Sequence, residues 1–387
     1  MEINWKKISS EFPINRKKIW LNNCGVCPPP DFVSKRMKAY LDDYAQELFL
    51  SQNFNYAKAK ANITSHLCKL IGCQPMEVTL LHNTAEGMNN IAQGLDFNKD
   101  DVILIVEDEY PSNVYPWARL YKQKGVLVKF VPIERDPESF LKGLEKTIDE
   151  NKKKNIRLLS ISGTHWITGM PFPLEKIGQL CAQHNIFFCV DGAQLVGMSP
   201  VDVKKMKIDF MAFSAWKWLM GPLGLGAFYI SEKFYNAIEP TFIGTSSVVD
   251  ELNHFPYRNK LKDGADKFSF STPSLNDWIH FDASLEYLDN IGWPNIQTRI
   301  YKLAEILKEQ LIDLGMTLPS ERFADYNTGI ISAKTPALLN TKIVEALEKE
   351  NIYTSARKEY VRFSPHISNT EDQLAIAVGK LGEIIKS

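Results

Sequence analysis

One lysine sits inside an otherwise apolar run. The segment DFMAFSAWKWLMGPLGLGAFY, Asp209 to Tyr229, places Lys217 between Trp216 and Trp218 and ahead of Gly221, Gly224 and Gly226. An ammonium is costly to hold in apolar surroundings, so a pocket that buries it lowers its pKa and frees the neutral amine as a nucleophile toward carbonyl carbon. Two plainer readings compete. The run is long enough to suggest a membrane span, but Lys217 near its centre, Pro222 and three glycines make a poor lipid-facing helix. Alternatively, Lys217 snorkels from a core element to the surface. A second motif favours chemistry over both. Upstream, FFCVDGAQ (Phe187 to Gln194) is an apolar run ending in Asp191 and Gly192. A buried parallel strand delivers a carboxylate in this way to the carboxyl edge of an α/β sheet, where ligands bind. A pocket lysine and such a carboxylate together describe a pyridoxal phosphate site: the lysine forms a Schiff base, and the aspartate keeps the pyridine nitrogen protonated so that the ring acts as an electron sink.

The pair Asp191-Gly-Ala-Gln194 and Ser214-Ala-Trp-Lys217, with the glycine-rich turn behind it, resembles the class V aminotransferase family of fold-type I pyridoxal phosphate enzymes. That group includes cysteine desulfurases, selenocysteine lyase, kynureninase, isopenicillin N epimerase and cysteine C–S lyases. The likeness runs from about Trp20 to Thr370 through several motifs in the family's order. It implies Lys217 and Asp191 as the catalytic residues, with Gln194 on the cofactor's phenolic oxygen. It also implies Ser214 as a phosphate ligand, and Trp216, standing where the family often has His, as a further phosphate donor through its indole N–H. The turn at Asn83 is an ordinary N-cap by its residues alone. In the family it carries the phosphate, which assigns Thr84 and Ala85 to it with Glu86 beside them. The segment EDEYPSN puts Tyr110 where family members place a ring over the pyridine face, in a form nearer kynureninase than the desulfurases, which carry His. The segment GTHWITG matches the family's S-x-x-x-W-x-T-G, with Ser162, Trp166, Thr168 and Gly169 in register; His165 and Trp166 stand where desulfurases keep an Asn, and His165 becomes a candidate substrate contact. The segment LNNCGVCPPP reads either as a simple turn or, from the resemblance, as an active-site rim with Asn22 and Asn23 touching substrate. Arg362 in VRFSPH matches the family's α-carboxylate grip, where a planar guanidinium gives two parallel charge-assisted bonds that a lysine cannot. FSFSTP resembles the element that crosses the family's dimer interface, which makes Thr272, and less directly Thr245, a phosphate ligand in the other subunit's site and implies a homodimer with shared active sites.

The elements that would position these residues follow from periodicity. Residues 31 to 71 carry helical spacing, ended by Gly72. VTLLHN then reads as a strand, and NTAEGMNNIAQGL, Asn83 to Leu95, as a helix whose free N–H groups and positive dipole end bind a phosphate without basic side chains. VILIV (102 to 106), RLLSIS and FFCVD alternate with helices, including a lysine-rich one over 137 to 154. The alternation from 76 to 230 predicts a doubly wound, mostly parallel sheet, and the resemblance adds its seven-stranded fold-type I form. Helical stretches at 276 to 291 and 295 to 314 lead to a smaller α+β domain with strands near TGIISAK and VRFSPH. The expected division is a large cofactor-binding domain over 16–255 and a small C-terminal domain over 256–387, with residues 1–15 packed against the latter; a chain of 387 residues exceeds what one growing core holds.

The bulk composition excludes several classes. With 44% hydrophobic residues, 24% charged residues and a net charge of −1, neither nucleic acid nor an anionic membrane is the expected partner. The start MEINWKKISSEF has no apolar signal core, so a cytoplasmic enzyme is expected. Six cysteines in such a chain read as reduced thiols, and Cys24-x-x-Cys27 has no second pair at zinc spacing, so no metal is expected.

The residues set up a Cα carbanion: an α-carboxylate docks on Arg362, the Lys217 amine takes the Cα proton, and Asp191 sustains the electron sink. One absence narrows the fate of that carbanion. Desulfurases take sulfur on a cysteine ahead of the carboxylate-binding arginine, and the chain from Glu345 to Arg362 contains no Cys. The expectation is therefore β-elimination of the C–S lyase kind or transamination. Cysteine desulfurase, selenocysteine lyase-like or isopenicillin N epimerase-like activity is the alternative, and a non-catalytic binding protein the remaining one.

Overall fold

The computed structural model describes residues 3–52, 55–257 and 259–386. Seven strands form the large sheet: β1 Val78–Leu81, β2 Val102–Val106, β3 Leu127–Val131, β4 Ile156–Ser162, β5 Phe187–Asp191, β6 Phe210–Ser214 and β7 Gly226–Ile230. Their order is β1-β7-β6-β5-β4-β2-β3, parallel except that β7 runs against both its neighbours. The runs VILIV and FMAFS are apolar nearly throughout because helices cover both faces, and every residue in them is buried. Alternate side chains of β2 divide accordingly. Ile103 and Ile105 pack with Met88, Ile91 and Trp117, whereas Val102, Leu104 and Val106 pack with Phe140, Leu144 and Ile177. The parallel strands bring Val106, Ser162, Asp191 and Ser214 to one edge, and the loops beyond that edge hold the residues that the sequence singles out.

The helical stretch before Gly72 resolves into Asp31–Glu47 and Tyr56–Ile71, the second closed by Gly72 at φ 71°. The lysine-rich helix ends at Glu150, short of 154, because Asn151 caps it and the following lysines form the turn into β4. The change of core falls later than residue 256. Ala265, Phe268, Leu275, Trp278, Phe281 and Leu285 still belong to the large cores; the small core gathers from helix Trp293–Asp313 onward through Leu303, Leu307 and Leu311. The polar stretch near 256 is thus a surface loop, and the apolar positions after it decide where the chain packs. The small core carries an antiparallel sheet, Ser355–Arg357, Tyr360–Phe363 and Ile331–Ala333 in that order, and a parallel pair, Ile19–Trp20 with Ile352–Tyr353. The N-terminal helix Trp5–Ser10 sits on the seam, where Phe12 packs with Met198 and Trp218 on one side and Ile300 and Ile330 on the other. Among the described residues no helix is long and apolar enough to cross a membrane, and no group of His, Cys, Asp and Glu is placed to hold a metal ion.

Candidate active site

Asp191 closes β5, is buried, and accepts the Ala193 N–H at 2.9 Å through Oδ1. Lys217 follows β6 on a tight turn, in which Met220 N–H donates to the Lys217 carbonyl and Gly221 N–H to that of Ala215. The turn must be small. A side chain at Gly221 would meet the Ala215 Cβ at 2.6 Å, and one at Gly226 would approach the Asn83 backbone at 3.2 Å. The Lys217 Nζ lies 5.5 Å from the centroid of the Tyr110 ring. Burial lowers its pKa; Asp191 and Cys24 oppose that, while the Arg362 and Arg357 guanidiniums add to it. Burial raises the Asp191 pKa, and the Lys217 charge and the Ala193 N–H pull it back. The arrangement thus favours a reactive amine whose charge is supported by one carboxylate.

The residues expected to hold a phosphate gather where a helix start meets the end of a strand. Helix Thr84–Gly94 opens at Asn83, whose side chain accepts the Glu86 N–H at 3.0 Å. Thr84 Oγ1 and Ser214 Oγ, both buried, stand 2.9 Å apart and join this helix start to the end of β6. Ala85 lies in the first turn. Glu86 turns aside, accepting the His82 N–H at 2.8 Å and meeting His82 Nδ1 at 2.8 Å, which keeps a carboxylate away from the anion position. The Trp216 carbonyl accepts the Cys27 N–H at 2.8 Å and so ties the lysine turn to the 22–27 segment.

Over the ring position, Tyr110 meets Trp166 edge-on, with centroids 5.3 Å apart and planes at 81°. The Trp166 indole is fixed by donating to the Asp108 carbonyl at 2.7 Å. Gln194 receives the Trp218 indole N–H at 2.9 Å and donates to the Cys24 carbonyl at 3.0 Å, which leaves one amide hydrogen for a ligand oxygen. His165 is buried, shares its Nδ1 with Thr168 Oγ1 at 2.9 Å, and leaves Nε2 without a partner; burial pushes its pKa down to about 4. These donors, the amine beside a carboxylate and the phenol above them fit pyridoxal phosphate.

At the substrate end, Arg362 is buried on the hairpin. Its Nε donates to Ser355 Oγ at 3.2 Å and its Nη1 to the Trp166 carbonyl at 2.6 Å, and its Nη2 has no protein acceptor among the described residues. Asn22 keeps an unpartnered Oδ1. Asn23 corrects the expectation of a substrate contact: its Nδ2 donates to the Ser364 carbonyl at 2.8 Å and its Oδ1 accepts from Cys27 Sγ at 3.3 Å, so its amide stitches the rim to the small core. Thr272 and Thr245 are exposed, and no hydrogen bond among the described residues ties either to Lys217, Asp191 or Ser214 within one chain.

Sequence reasoning missed three residues. Arg357 lies opposite Tyr360 as Arg362 lies opposite Ser355, so all four share a face of the hairpin; its guanidinium is 5.9 Å from the Trp166 ring, and its electrostatic neighbours include Arg362 and Cys24. Period-two counting along SAR and YVR would have found it. Cys24 reaches the neighbourhood of Lys217 and Arg357 from the rim, which only the fold reveals. Glu109, next to Tyr110, is buried behind Asp191.

Comparison with known proteins gives the family. The aminotransferase class V family model matches residues 19–373, and the chain belongs to that family. A probable cysteine desulfurase from Pyrococcus abyssi is 29% identical, covering 98% of this chain and 97% of its own. An apo cysteine desulfurase structure from Thermococcus onnurineus superposes with a TM-score of 0.87 at 25% identity, covering 100% of this chain and 99% of its own. The cystine C–S lyase C-DES, in complex with its product cysteine persulfide, has the same fold at TM-score 0.87 and 23% identity, covering 96% of this chain and 99% of its own. The chain is a pyridoxal phosphate-dependent enzyme of fold type I that acts on an amino acid.

Proposed function

We propose that this enzyme cleaves the Cβ–S bond of a cysteine-type amino acid by β-elimination, with Lys217 as the cofactor lysine. The observation that carries the choice is the hairpin around Lys358 and Glu359. Desulfurases resemble this chain over its length but carry their sulfur-accepting cysteine ahead of the carboxylate-binding arginine, and here that stretch is a two-residue turn between Arg357 and Tyr360 without a thiol. Lys358 pairs with Asp108 and pins the turn against the loop after β2.

The cofactor, when bound, withdraws electrons from Cα. The chain's own residues do the rest. Arg362 would receive the α-carboxylate through Nη2, which has no acceptor among the described residues, and Asn22 would offer its Oδ1 to the substrate ammonium. Lys217, with its proton affinity lowered by burial, takes the Cα proton. Thr84, Ser214 and the N–H groups of the helix start at Ala85 would hold the phosphate, with Trp216 as a further indole donor; Tyr110 and Trp166 would cover the ring, and Gln194 and Asp191 would meet its oxygen and its nitrogen. Loss of the thiolate from Cβ yields, after hydrolysis, pyruvate, ammonia and sulfide. Arg357, whose charge lies beside Cys24 and Lys217, stabilises the departing sulfur anion.

Stoichiometric pyruvate and sulfide from L-cysteine, or pyruvate and cysteine persulfide from L-cystine, is the expected result. Alanine together with protein-bound sulfane sulfur that disappears on replacing one cysteine would instead establish desulfuration. The quaternary reading is a homodimer in which the exposed Thr272 completes the phosphate site of the other copy. Sedimentation should show a dimer at assay concentrations, and a fully active monomer rules Thr272 out as a ligand.

A further inference from the structure

Within electrostatic reach of Asp191 lies a second buried carboxylate, Glu109, that the elimination does not use. Glu109 follows β2, and three donors fix it: the Ser162 N–H to Oε1 at 2.6 Å, the Ser162 hydroxyl to Oε2 at 2.6 Å, and the Tyr110 N–H to Oε2 at 3.2 Å. Ser162 is the residue opposite Asp191 in the β4–β5 register. Glu109 therefore links the strand beside Asp191 to the loop that carries the stacking phenol. The groups facing it are Asp191 and Cys189 from β5, Ser162 from β4, and Asn113 and Tyr110 from its own loop; the charge facing Asp191 in turn is Lys217. Burial and the Asp191 charge push its pKa up to about 7, against the hydrogen bonds from Ser162 and Asn113. The Asp191 charge is supported by Lys217 and the Ala193 N–H, and that of Glu109 by the donors of Ser162 and Tyr110.

We propose that Glu109 is a positioning residue acting through Asp191: protonated, it leaves Asp191 as the single carboxylate facing the cofactor's ring nitrogen, and ionised, it places a second negative charge behind Asp191 that tightens the hold on the ring proton. The inference rests on Asp191 being the partner of that nitrogen. The charge of Glu109 couples to the pyridinium across a buried, low-dielectric gap, so a neutral glutamine should remove a pH-dependent part of cofactor binding and leave the pH-independent part.

The test compares wild type, Glu109→Gln and Glu109→Asp by titrating pyridoxal phosphate into each apoprotein between pH 6 and 9, alongside thermal unfolding of the same apoproteins. At pH 6 wild type and Glu109→Gln should bind alike; above pH 7.5 wild type should bind roughly 5-fold more tightly. The visible absorption of the loaded glutamine variant should titrate at lower pH than that of wild type, and Glu109→Asp should restore the wild-type trend. In the apoproteins, wild type should lose unfolding temperature relative to Glu109→Gln as pH rises from about 5 to 8, because a carboxyl with a raised folded pKa binds more protons folded than unfolded. Should the glutamine variant fail to fold, Ser162→Ala serves: losing one donor to Glu109, it should move the binding transition to higher pH. Affinity curves for Glu109→Gln, or for Ser162→Ala, that run parallel to wild type at every pH overturn the proposal. Failure of wild type to bind the cofactor overturns instead the site assignment beneath it.

Discussion

The two walls of the active site are made differently. The inner wall is the carboxyl edge of the large sheet. Asp191, Ser214 and Thr84 sit at the ends or starts of regular elements, are buried, and are held by bonds of 2.9 Å. The outer wall is lent by the small core: the rim 20–27 and the hairpin 355–363, joined where Asn22 bridges to Ser364 and Ile19–Trp20 pairs with Ile352–Tyr353. It carries two arginines that share a face, with more charge than the protein itself satisfies. The inner wall is set by the ends of regular elements of the large sheet, whereas the outer wall depends on how the rim and the hairpin pair. On the reading proposed above, the inner wall would seat the cofactor and the outer wall would meet the amino acid.

The sharpest way to break this division is at Lys217. Lys217→Ala should abolish the covalent cofactor bond and lower kcat by at least about 10²- to 10⁴-fold, the range of a lost general base, while leaving the unfolding temperature within a few degrees. Borohydride reduction followed by peptide mass spectrometry should find the cofactor on Lys217 alone; its recovery on another lysine would remove the basis for the inner wall.

Next in size is the outer wall. Arg362→Lys keeps the charge but loses the planar fork, and with it about 1.5 to 3 kcal/mol of a charge-assisted bond, so kcat/KM should fall roughly 10- to 100-fold with little change in cofactor affinity. Arg357→Gln, which removes the charge, should lower kcat more than it raises KM, because a charge beside the leaving sulfur acts in the transition state. Equal effects of both variants on cofactor affinity would show that the two walls are not separable.

A smaller effect sharpens the reading of reaction type. Cys24 is the one thiol in the electrostatic neighbourhood of both Lys217 and Arg357, yet it comes from the rim and not from the hairpin. Under elimination, Cys24→Ala should keep pyruvate formation within about 3-fold of wild type, since its thiol takes no part in the proton transfer or the bond cleavage. Alanine formed by the wild type and lost in Cys24→Ala would make Cys24 a sulfur acceptor and overturn elimination.

These walls were unequally legible in the sequence. Two residues of the inner wall stood out from their surroundings: FFCVD stops at Asp191, and Lys217 interrupts a long apolar stretch, whereas Thr84 and Ser214 were singled out only by the family resemblance. The outer wall depends on pairings between residues more than three hundred positions apart, such as Asn23 with Ser364, and nothing in LNNCGVC says that one asparagine faces the site while the next is bonded into the seam. Glu109 escaped because an acidic residue in a polar loop ordinarily lies in water, and only the folded chain brings Ser162 to it as a hydrogen-bond donor.

The mildest test concerns the seam between the walls. His366 is fully buried; its Nδ1 accepts the Ile367 N–H at 2.8 Å and its Nε2 lies 3.2 Å from the Trp218 carbonyl, so the neutral ring with its hydrogen on Nε2 satisfies both. A second proton would have to go on Nδ1, which breaks the bond from Ile367, and burial holds the pKa down to about 4 against the ordinary 6.5. A group whose folded pKa is depressed in this way binds more protons unfolded, so stability is intact above about 6.5 and falls as pH drops toward 4. The full gap corresponds to roughly 3 kcal/mol, and His165, held near the same value, contributes a similar slope on the other side of the site. Replacing His366 with Gln, which keeps an acceptor and a donor but cannot charge, should cost about 1 kcal/mol at pH 8 through imperfect packing and flatten the loss between pH 6.5 and 4.5. Urea titrations of the two proteins across that interval measure the difference, and parallel slopes would mean that the seam stays closed while His366 charges.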